Sequence, residues 1–277
     1  MQLIHTIAEL RAALAGQQET AFVPTMGNLH SGHISLIELA RGHGGPVVAS
    51  IFVNPLQFGA GEDFSRYPRT LQADCTQLQA AGCDIVFAPD ANEMYPEAQT
   101  FSVHPPLADE LCGAWRPGHF QGVATVVLKL FNMVQPRYAV FGKKDYQQLL
   151  ILKGLVHQFN LPIVMLEGET GRADDGLALS SRNGYLSQLE RAEAPRLYRL
   201  LRAAAFRVES GDGDFSAIEQ SVGDELTRHG WRVDYISLRS RFSLLAPAPD
   251  ESDLVLLAAA HLGRTRLIDN IECSRPV

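Results

Sequence analysis

The sequence predicts an α/β protein, with a mostly parallel sheet domain followed by a smaller α+β domain. Three observations lead there. Short apolar runs alternate with helix-spaced segments through residue 166, the pattern of βαβ crossovers. Residues 47–53 form a nearly continuous apolar run between Gly44-Gly45-Pro46 and Asn54-Pro55, as expected of a central strand covered on both faces. After Arg172-Ala173-Asp174-Asp175-Gly176 the chain changes to Arg- and Ala-rich helical stretches and separate strands. The expected layout is a Rossmann-like domain over 1–175 and an α+β domain over 176–277.

Taken in order, Ile7, Leu10 and Leu14 give residues 6–15 the spacing of an amphipathic helix. A buried strand starting at Phe22 ends at Met26-Gly27. A helix from about Ser31 to Arg41 follows and is stopped by Gly44-Gly45-Pro46. Residues 57–70 lack periodicity and read as a functional loop. Leu71, Cys75 and Leu78 set a helix over 71–81, and 84–88 make a third strand. Prolines punctuate an irregular excursion over 91–122. An apolar helix then runs from Gly122 to Val134, and 138–141 is a fourth strand. Gly142-Lys143-Lys144-Asp145 opens a helix towards Asn160, and 163–166 is a fifth strand. Beyond the join, one helix reaches Ser210, another covers 216–229, and strands are expected near 231–237, 253–259 and 265–271.

Composition narrows the function. The net charge of −7 argues against a general nucleic-acid binder, which usually carries a basic surface. No run approaches the ~20 apolar residues needed to span a bilayer. Cys75, Cys83, Cys112 and Cys273 are widely spaced, which fits reduced thiols in a soluble cytoplasmic protein rather than a disulfide framework. Lysines are few, so the Lys143-Lys144 pair stands out.

Parallel sheets bind ligands beyond the carboxyl ends of their strands. Met26-Gly27, Asn54-Pro55-Leu56-Gln57 and Gly142-Lys143-Lys144-Asp145 each follow a strand end and are expected on one rim. The stretch Met26-Gly27-Asn28-Leu29-His30-Ser31-Gly32-His33 is a turn leading into a helix start. There, unpaired backbone N–H groups and the helix dipole suit an anion. Gly32 permits close approach of a ligand to the backbone. His30 and His33 can be metal ligands, packing residues or phosphate donors; the absence of further ligands nearby and the turn–helix context favour phosphate. Lys144 can neutralise triphosphate oxygens, and Asp145 can hold a ribose hydroxyl, a lysine or a hydrated metal ion. Ser180-Ser181-Arg182 offers two hydroxyls and a fixed cation, either a helix cap or a clamp for leaving pyrophosphate. Gln57 and Gln148 are amides able to bind a substrate hydroxyl or carboxylate. Asp74 reads as a surface helix carboxylate unless a magnesium ion lies close by. From these parts alone the chain is an α/β enzyme handling a nucleoside triphosphate.

The motifs, taken together, resemble one family. Pro24-Thr25-Met26-Gly27-x-Leu29-His30-x-Gly32-His33 is followed in order by Ile51-Phe52-Val53-Asn54-Pro55-x-Gln57-Phe58 and Tyr67-Pro68-Arg69-Thr70. Then come His119-Phe120-x-Gly122-Val123, Phe141-Gly142-x-Lys144-Asp145-Tyr146-Gln147-Gln148 and Leu177-Ala178-Leu179-Ser180-Ser181-Arg182-Asn183. This ordered set is similar to the pantothenate synthetase (pantoate–β-alanine ligase) family. His-x-Gly-His alone is shared by many nucleotidylyltransferases.

The resemblance implies ATP-dependent condensation of (R)-pantoate with β-alanine through a pantoyl adenylate, with Mg2+ accompanying ATP. It implies that Met26 to His33 bind the ATP phosphates, with His30 and His33 stabilising charge as pyrophosphate leaves. Lys144 and Ser180-Ser181-Arg182 would hold the remaining triphosphate oxygens, and Gly142, Lys143 and Asp145 would border the nucleotide. Gly171, standing where some members carry an aliphatic residue, would contact the adenine through its backbone, and Leu179, standing where others carry Met, would also bind ATP. Gln57 and Gln148 would bind pantoate, Gln57 also bordering β-alanine. Asp74 matches a position associated with magnesium, while its neighbour Ala73 stands where some relatives carry a carboxylate. A homodimer with a closing C-terminal domain is a further implication. Two other readings compete: an adenylyl transferase acting on a phosphorylated acceptor, and a silent nucleotide sensor.

Overall fold

The computed structural model describes residues 1–276. The chain divides into two compact units: Met1–Lys143 with Ile151–Glu169, and Lys144–Leu150 with Thr170–Val277. The second unit thus begins at Thr170, a few residues ahead of the expected join, and takes a short segment beginning at Lys144 with it.

The first unit is built on strands β1 (Gln2–Ile4), β2 (Ala21–Thr25), β3 (Val47–Ile51), β4 (Ile85–Phe87), β5 (Tyr138–Gly142) and β6 (Val164–Gly168). All pairings are parallel, in the order β1-β4-β3-β2-β5-β6. The expected α/β fold with a parallel sheet is therefore present. β1 went unpredicted, because three residues with only Ile4 buried carry no periodic signal. From β2 the chain goes to β3 and β4 on one side, then returns to place β5 on the other. The strand order reverses between β2 and β5, a switch point where two connections leave in opposite directions and open a crevice at the carboxyl ends.

Helices α1 (Ile7–Ala13), α2 (Ser31–Arg41), α3 (Leu71–Ala80), α4 (Ala91–Met94), α5 (Cys112–Trp115), α6 (His119–Val134) and α7 (Tyr146–Gln158) connect these strands. α1 opens with a capping box, Thr6 and Glu9 satisfying each other's exposed amides. α2 buries Leu36, Ile37 and Ala40 against Val23, Val47, Ala49 and Val140. α6 starts at His119, three residues ahead of the expected Gly122, because Gly118 at φ +79° provides the break. It ends at Gln135, also left-handed, immediately before Pro136. Two short helices, α4 and α5, occupy the stretch expected to be irregular.

The second unit contains α8 (Gln188–Glu193), α9 (Arg196–Glu209) and α10 (Phe215–Arg228), with an antiparallel sheet of β7 (Arg232–Ser240), β8 (Asp253–Leu262) and β9 (Thr265–Ser274). The single helix expected up to Ser210 is two helices, since Pro195 ends α8 and caps α9. Leu197, Leu201, Ala204 and Val208 of α9 and Ile218, Val222 and Leu226 of α10 pack with Leu254, Leu256, Ala258 and Ala260 of β8. All three strands run longer than periodicity indicated.

Candidate active site

β2 ends in Thr25 at the switch point, and the chain must turn sharply to enter α2. Gly27 at φ +78° and Asn28 at φ +51° make that turn. A Cβ on Gly27 would lie 3.0 Å from both Asp74 Oδ2 and Ile51 Cγ2, so glycine is required for space as well as conformation. Thr25 Oγ1 donates to Ser50 O at 2.7 Å and accepts the Gly27 amide at 3.2 Å, tying the turn to β3.

Asp74 is where the expectation needs correcting. It is not a surface carboxylate but 1% exposed, on the inner face of α3. Its oxygens accept the amides of Asn28 (3.0 Å) and Leu29 (2.9 Å) and the hydroxyl of Thr70 (3.0 Å). Burying a carboxylate is costly unless hydrogen-bond donors replace the lost water, and here the donors are largely the amides of the turn itself. Helical spacing missed it because Leu71, Cys75 and Leu78 alone define the apolar stripe, and Asp74 is buried among them for its hydrogen bonds.

α2 begins as predicted at Ser31, with His30 in extended conformation as N-cap and no acidic residue in its first turn. No carboxylate of the helix itself faces its positive end; Asp74 is engaged by the amides of Asn28 and Leu29 just ahead of it. The imidazoles of His30 and His33 face each other with centroids 4.1 Å apart, and the His30 amide donates to His33 Nδ1 at 3.3 Å. With Nδ1 accepting, the neutral His33 ring carries its proton on Nε2.

Gln57 sits at the end of a one-turn helix, Pro55–Gln57, and is 8% exposed. Asn54 Nδ2 donates to Gln57 Oε1 (3.2 Å) and Gly122 O (3.1 Å), while Asn54 Oδ1 accepts from Tyr95 OH (2.8 Å). Burial pushes the Tyr95 phenol upward, so it remains a donor. Gln57 Nε2 lies 3.0 Å from Met26 Sδ, which brings these two predicted site residues together. His119 Nδ1 bonds Gln57 O at 2.8 Å, and a Cβ on Gly122 would come within 2.2 Å of Leu56 O. The His119-x-x-Gly122 pair thus lets α6 clasp the turn that carries Gln57. At the end of β5, Lys143 pairs with Glu169 at 2.6 Å.

The remaining predicted residues belong to the second unit. Lys144 Nζ is 3.9 Å from Asp145 Oδ2, and Gln148 is half-buried in the first turn of α7. Gly171 O accepts the Leu179 amide at 2.9 Å, joining two of the expected ATP-binding residues. Ser180 caps the short helical turn Ser181–Tyr185, its Oγ accepting the Arg182 amide at 3.3 Å. The four cysteines are free, and burial pushes the thiol of Cys83 up to about 11 and that of Cys273 up to about 12.

A parallel α/β sheet with a glycine turn, a histidine-flanked helix start and a buried amide at its switch point defines a nucleotide-handling enzyme of the His-x-Gly-His class. Comparison with known proteins gives the particular family. The model of the pantoate-beta-alanine ligase family matches residues 2–272. A pantothenate synthetase of Thiobacillus denitrificans is 62% identical over 98% of this chain and 97% of its own length. One from Methylobacillus flagellatus is 61% identical over 99% of both. The crystal structure of pantothenate synthetase from Thermus thermophilus superposes with a TM-score of 0.93 at 46% identity, covering 98% of this chain and 99% of that one. The Francisella tularensis pantoate-beta-alanine ligase, solved with beta-gamma ATP and β-alanine, gives 0.84 at 33% identity over 98% and 97%. The chain belongs to the pantoate–β-alanine ligase family.

Proposed function

We propose that this ligase works in two steps, adenylating pantoate and then passing the pantoyl group to β-alanine. The overall reaction is the ATP-dependent condensation of (R)-pantoate with β-alanine, giving pantothenate, AMP and pyrophosphate. In the first step a pantoate carboxylate oxygen attacks the α-phosphorus and the bond to pyrophosphate breaks. In the second the β-alanine amine attacks the acyl carbon, loses a proton, and AMP leaves. A free carboxylate resists amine attack, and adenylation supplies the leaving group. No protein nucleophile is required, so positioning and charge neutralisation carry the rate.

The observation that carries this reading is the α2 helix start at the sheet's switch point, with two histidines and no acidic residue in its first turn. Its backbone N–H groups and His33 Nε2–H are donors suited to phosphate oxygens whose charge grows as pyrophosphate departs. Asn54 accepts Tyr95 OH and donates to Gln57 Oε1, which orients the Gln57 NH2 group; one N–H meets Met26 Sδ and the other is offered to pantoate or β-alanine. Lys144, Ser181 and Arg182 hold the triphosphate oxygens, Gly142, Lys143, Asp145, Gly171 and Leu179 border the nucleotide, and Gln148 binds pantoate.

Mg2+ is proposed to accompany ATP through the nucleotide's own oxygens. Asp74 fits that ion poorly: its carboxylate already accepts three hydrogen bonds, and no group of three or more His, Cys, Asp or Glu is gathered among the described residues. No step is routed through the ion. The reading also includes a homodimer in the cytoplasm; no helix among the described residues is long and apolar enough to cross a membrane. Sedimentation and cell fractionation test those two points.

Pyrophosphate exchange into ATP, with and without pantoate, tests the reaction. Exchange that depends on pantoate is expected. Exchange driven only by a phosphorylated acceptor, or none under any condition, would overturn the reading in favour of an adenylyl transferase or a nucleotide sensor.

A further inference from the structure

The last strand, β9, lies far in sequence from every motif, yet it holds two of them. Asp269 and Asn270 are adjacent and both buried, at 4% and 6% exposure. Asn270 Nδ2 donates to the backbone carbonyl of Lys144 at 2.9 Å, across 126 residues of chain. Asp269 takes both arms of the Arg172 guanidinium, at 2.7 and 2.8 Å. Arg172 in turn donates to Gly176 O at 3.1 Å and stacks over Tyr198 at 3.8 Å. It forms an antiparallel bridge with Ala178, in the arm that leads directly into Ser180-Ser181-Arg182. A third tie is Tyr146 OH, which donates to Glu272 of β9 at 2.9 Å, while Arg241 pairs with Glu272 at 3.0 Å.

We infer that Asp269 and Asn270 are positioning residues, a common mount on β9 that holds Lys144 and the Ser180–Arg182 segment in fixed register with each other. Neither touches the reacting atoms. Asn270 acts through the main chain of Lys144, and Asp269 through Arg172 on the arm before Ser180. Adjacent residues on a strand point to opposite faces, so the Asp-Asn pair reaches the two segments from opposite sides of one strand. The paired strand β8 supplies rigidity, with Ala258 opposite Asp269 and Leu257 opposite Asn270. A lysine and a serine–arginine clamp acting on one triphosphate must keep a constant spacing while charge shifts between oxygens, and a shared strand enforces that.

The inference rests on the proposed roles of Lys144, Ser181 and Arg182, and the test separates the two. Asn270→Ala is assayed in the full-length protein by pyrophosphate exchange, steady-state kinetics and amide hydrogen exchange. Expected are a fall in exchange of about 10- to 100-fold, as for a misplaced catalytic group, KM values for ATP and pantoate near wild type, and faster amide exchange over 144–150. Normal pyrophosphate exchange in a cooperatively folded Asn270→Ala overturns the mount. So does lost activity with unchanged protection over 144–150. If Asn270→Ala does not fold, Asn270→Leu, close in volume but without a side-chain donor, decides by the same criteria. Lys144→Ala, run in parallel, judges the underlying reading: near-normal exchange there removes Lys144 from the mechanism, and the mount is then judged by amide protection alone.

Discussion

Replacing Asp74 by alanine strips the turn before α2 of its internal acceptor. The Leu29 amide is buried and the Asn28 amide partly so, and both lose a partner that water cannot fully replace. An unsatisfied buried donor costs roughly 1–3 kcal/mol, with bonds to a charged acceptor at the upper end. The Thr70 hydroxyl can rotate to another acceptor and adds little. Taking the buried amide near the top of that range and the other near the bottom gives about 2–4 kcal/mol. For a domain of this size that corresponds to a fall in Tm of about 5–15 °C. The turn also sets where His30 and His33 lie, so adenylation is expected to fall about 100-fold, the scale for displacing a positioned group by an ångström. Thermal melting and pyrophosphate exchange on Asp74→Ala and Asp74→Asn measure both. The asparagine variant keeps one acceptor but turns an NH2 group towards an amide, so it should lie between wild type and alanine. A wild-type Tm with intact exchange for Asp74→Ala would refute the reasoning. Activity of Asp74→Asn fully restored by raising Mg2+ would make the carboxylate a metal ligand after all.

Other outcomes follow from the same geometry. Lys144→Ala is expected to reduce adenylation by several orders of magnitude with the fold intact by circular dichroism, since the ammonium acts on developing charge. Gln148→Ala should weaken pantoate use in steady-state kinetics, and a loss of ATP affinity with pantoate kinetics unchanged would assign that amide elsewhere. His119→Ala frees the carbonyl of Gln57 and is expected to raise the KM for pantoate by about 10-fold, the worth of one hydrogen bond; an unchanged KM would sink the clasp. Glu219 is half-buried, and desolvation raises its carboxyl above the usual range although it accepts the Leu238 amide. The folded state therefore binds the proton more tightly than the unfolded one, and stability declines as pH rises from the ordinary Glu range through the raised value. Glu219→Gln keeps an acceptor for Leu238, so denaturant melts should show it more stable at neutral pH with a flatter pH dependence; an unchanged pH profile would contradict this.

Local chemistry made some features legible before any contact was known. The start of α2 at Ser31 could be read because a strand, a glycine turn and a helical stripe follow each other within about twenty residues. Val47-Val48-Ala49-Ser50-Ile51 could be read because a strand buried on both faces shows no alternation. β1 and Asp74 could not. β1 is too short for a period and exists because it pairs with Ile85, Val86 and Phe87. Asp74 is polar on a buried face, and only the amides of a segment some forty-five residues earlier make that tolerable. The split of the predicted helix at Pro195 lay in plain view, but Arg and Ala on both sides masked it.

By itself the sequence determined the α/β class, the order of the elements and the helix-start motif, since these depend on residue periodicity, breakers and contiguous turns. It also held the ordered motifs that match the family. The tertiary structure alone decided that Asp74 faces inward to hold the Asn28-Leu29 turn and that Asn54, Tyr95 and His119 fix the Gln57 amide. It alone decided that Asp269 and Asn270 grip Lys144 and the arm before Ser180. Each of these joins donors and acceptors distant in sequence, and such a pairing leaves no periodic trace in the chain. Burial gives those bonds their strength, and burial exists only once the chain is packed.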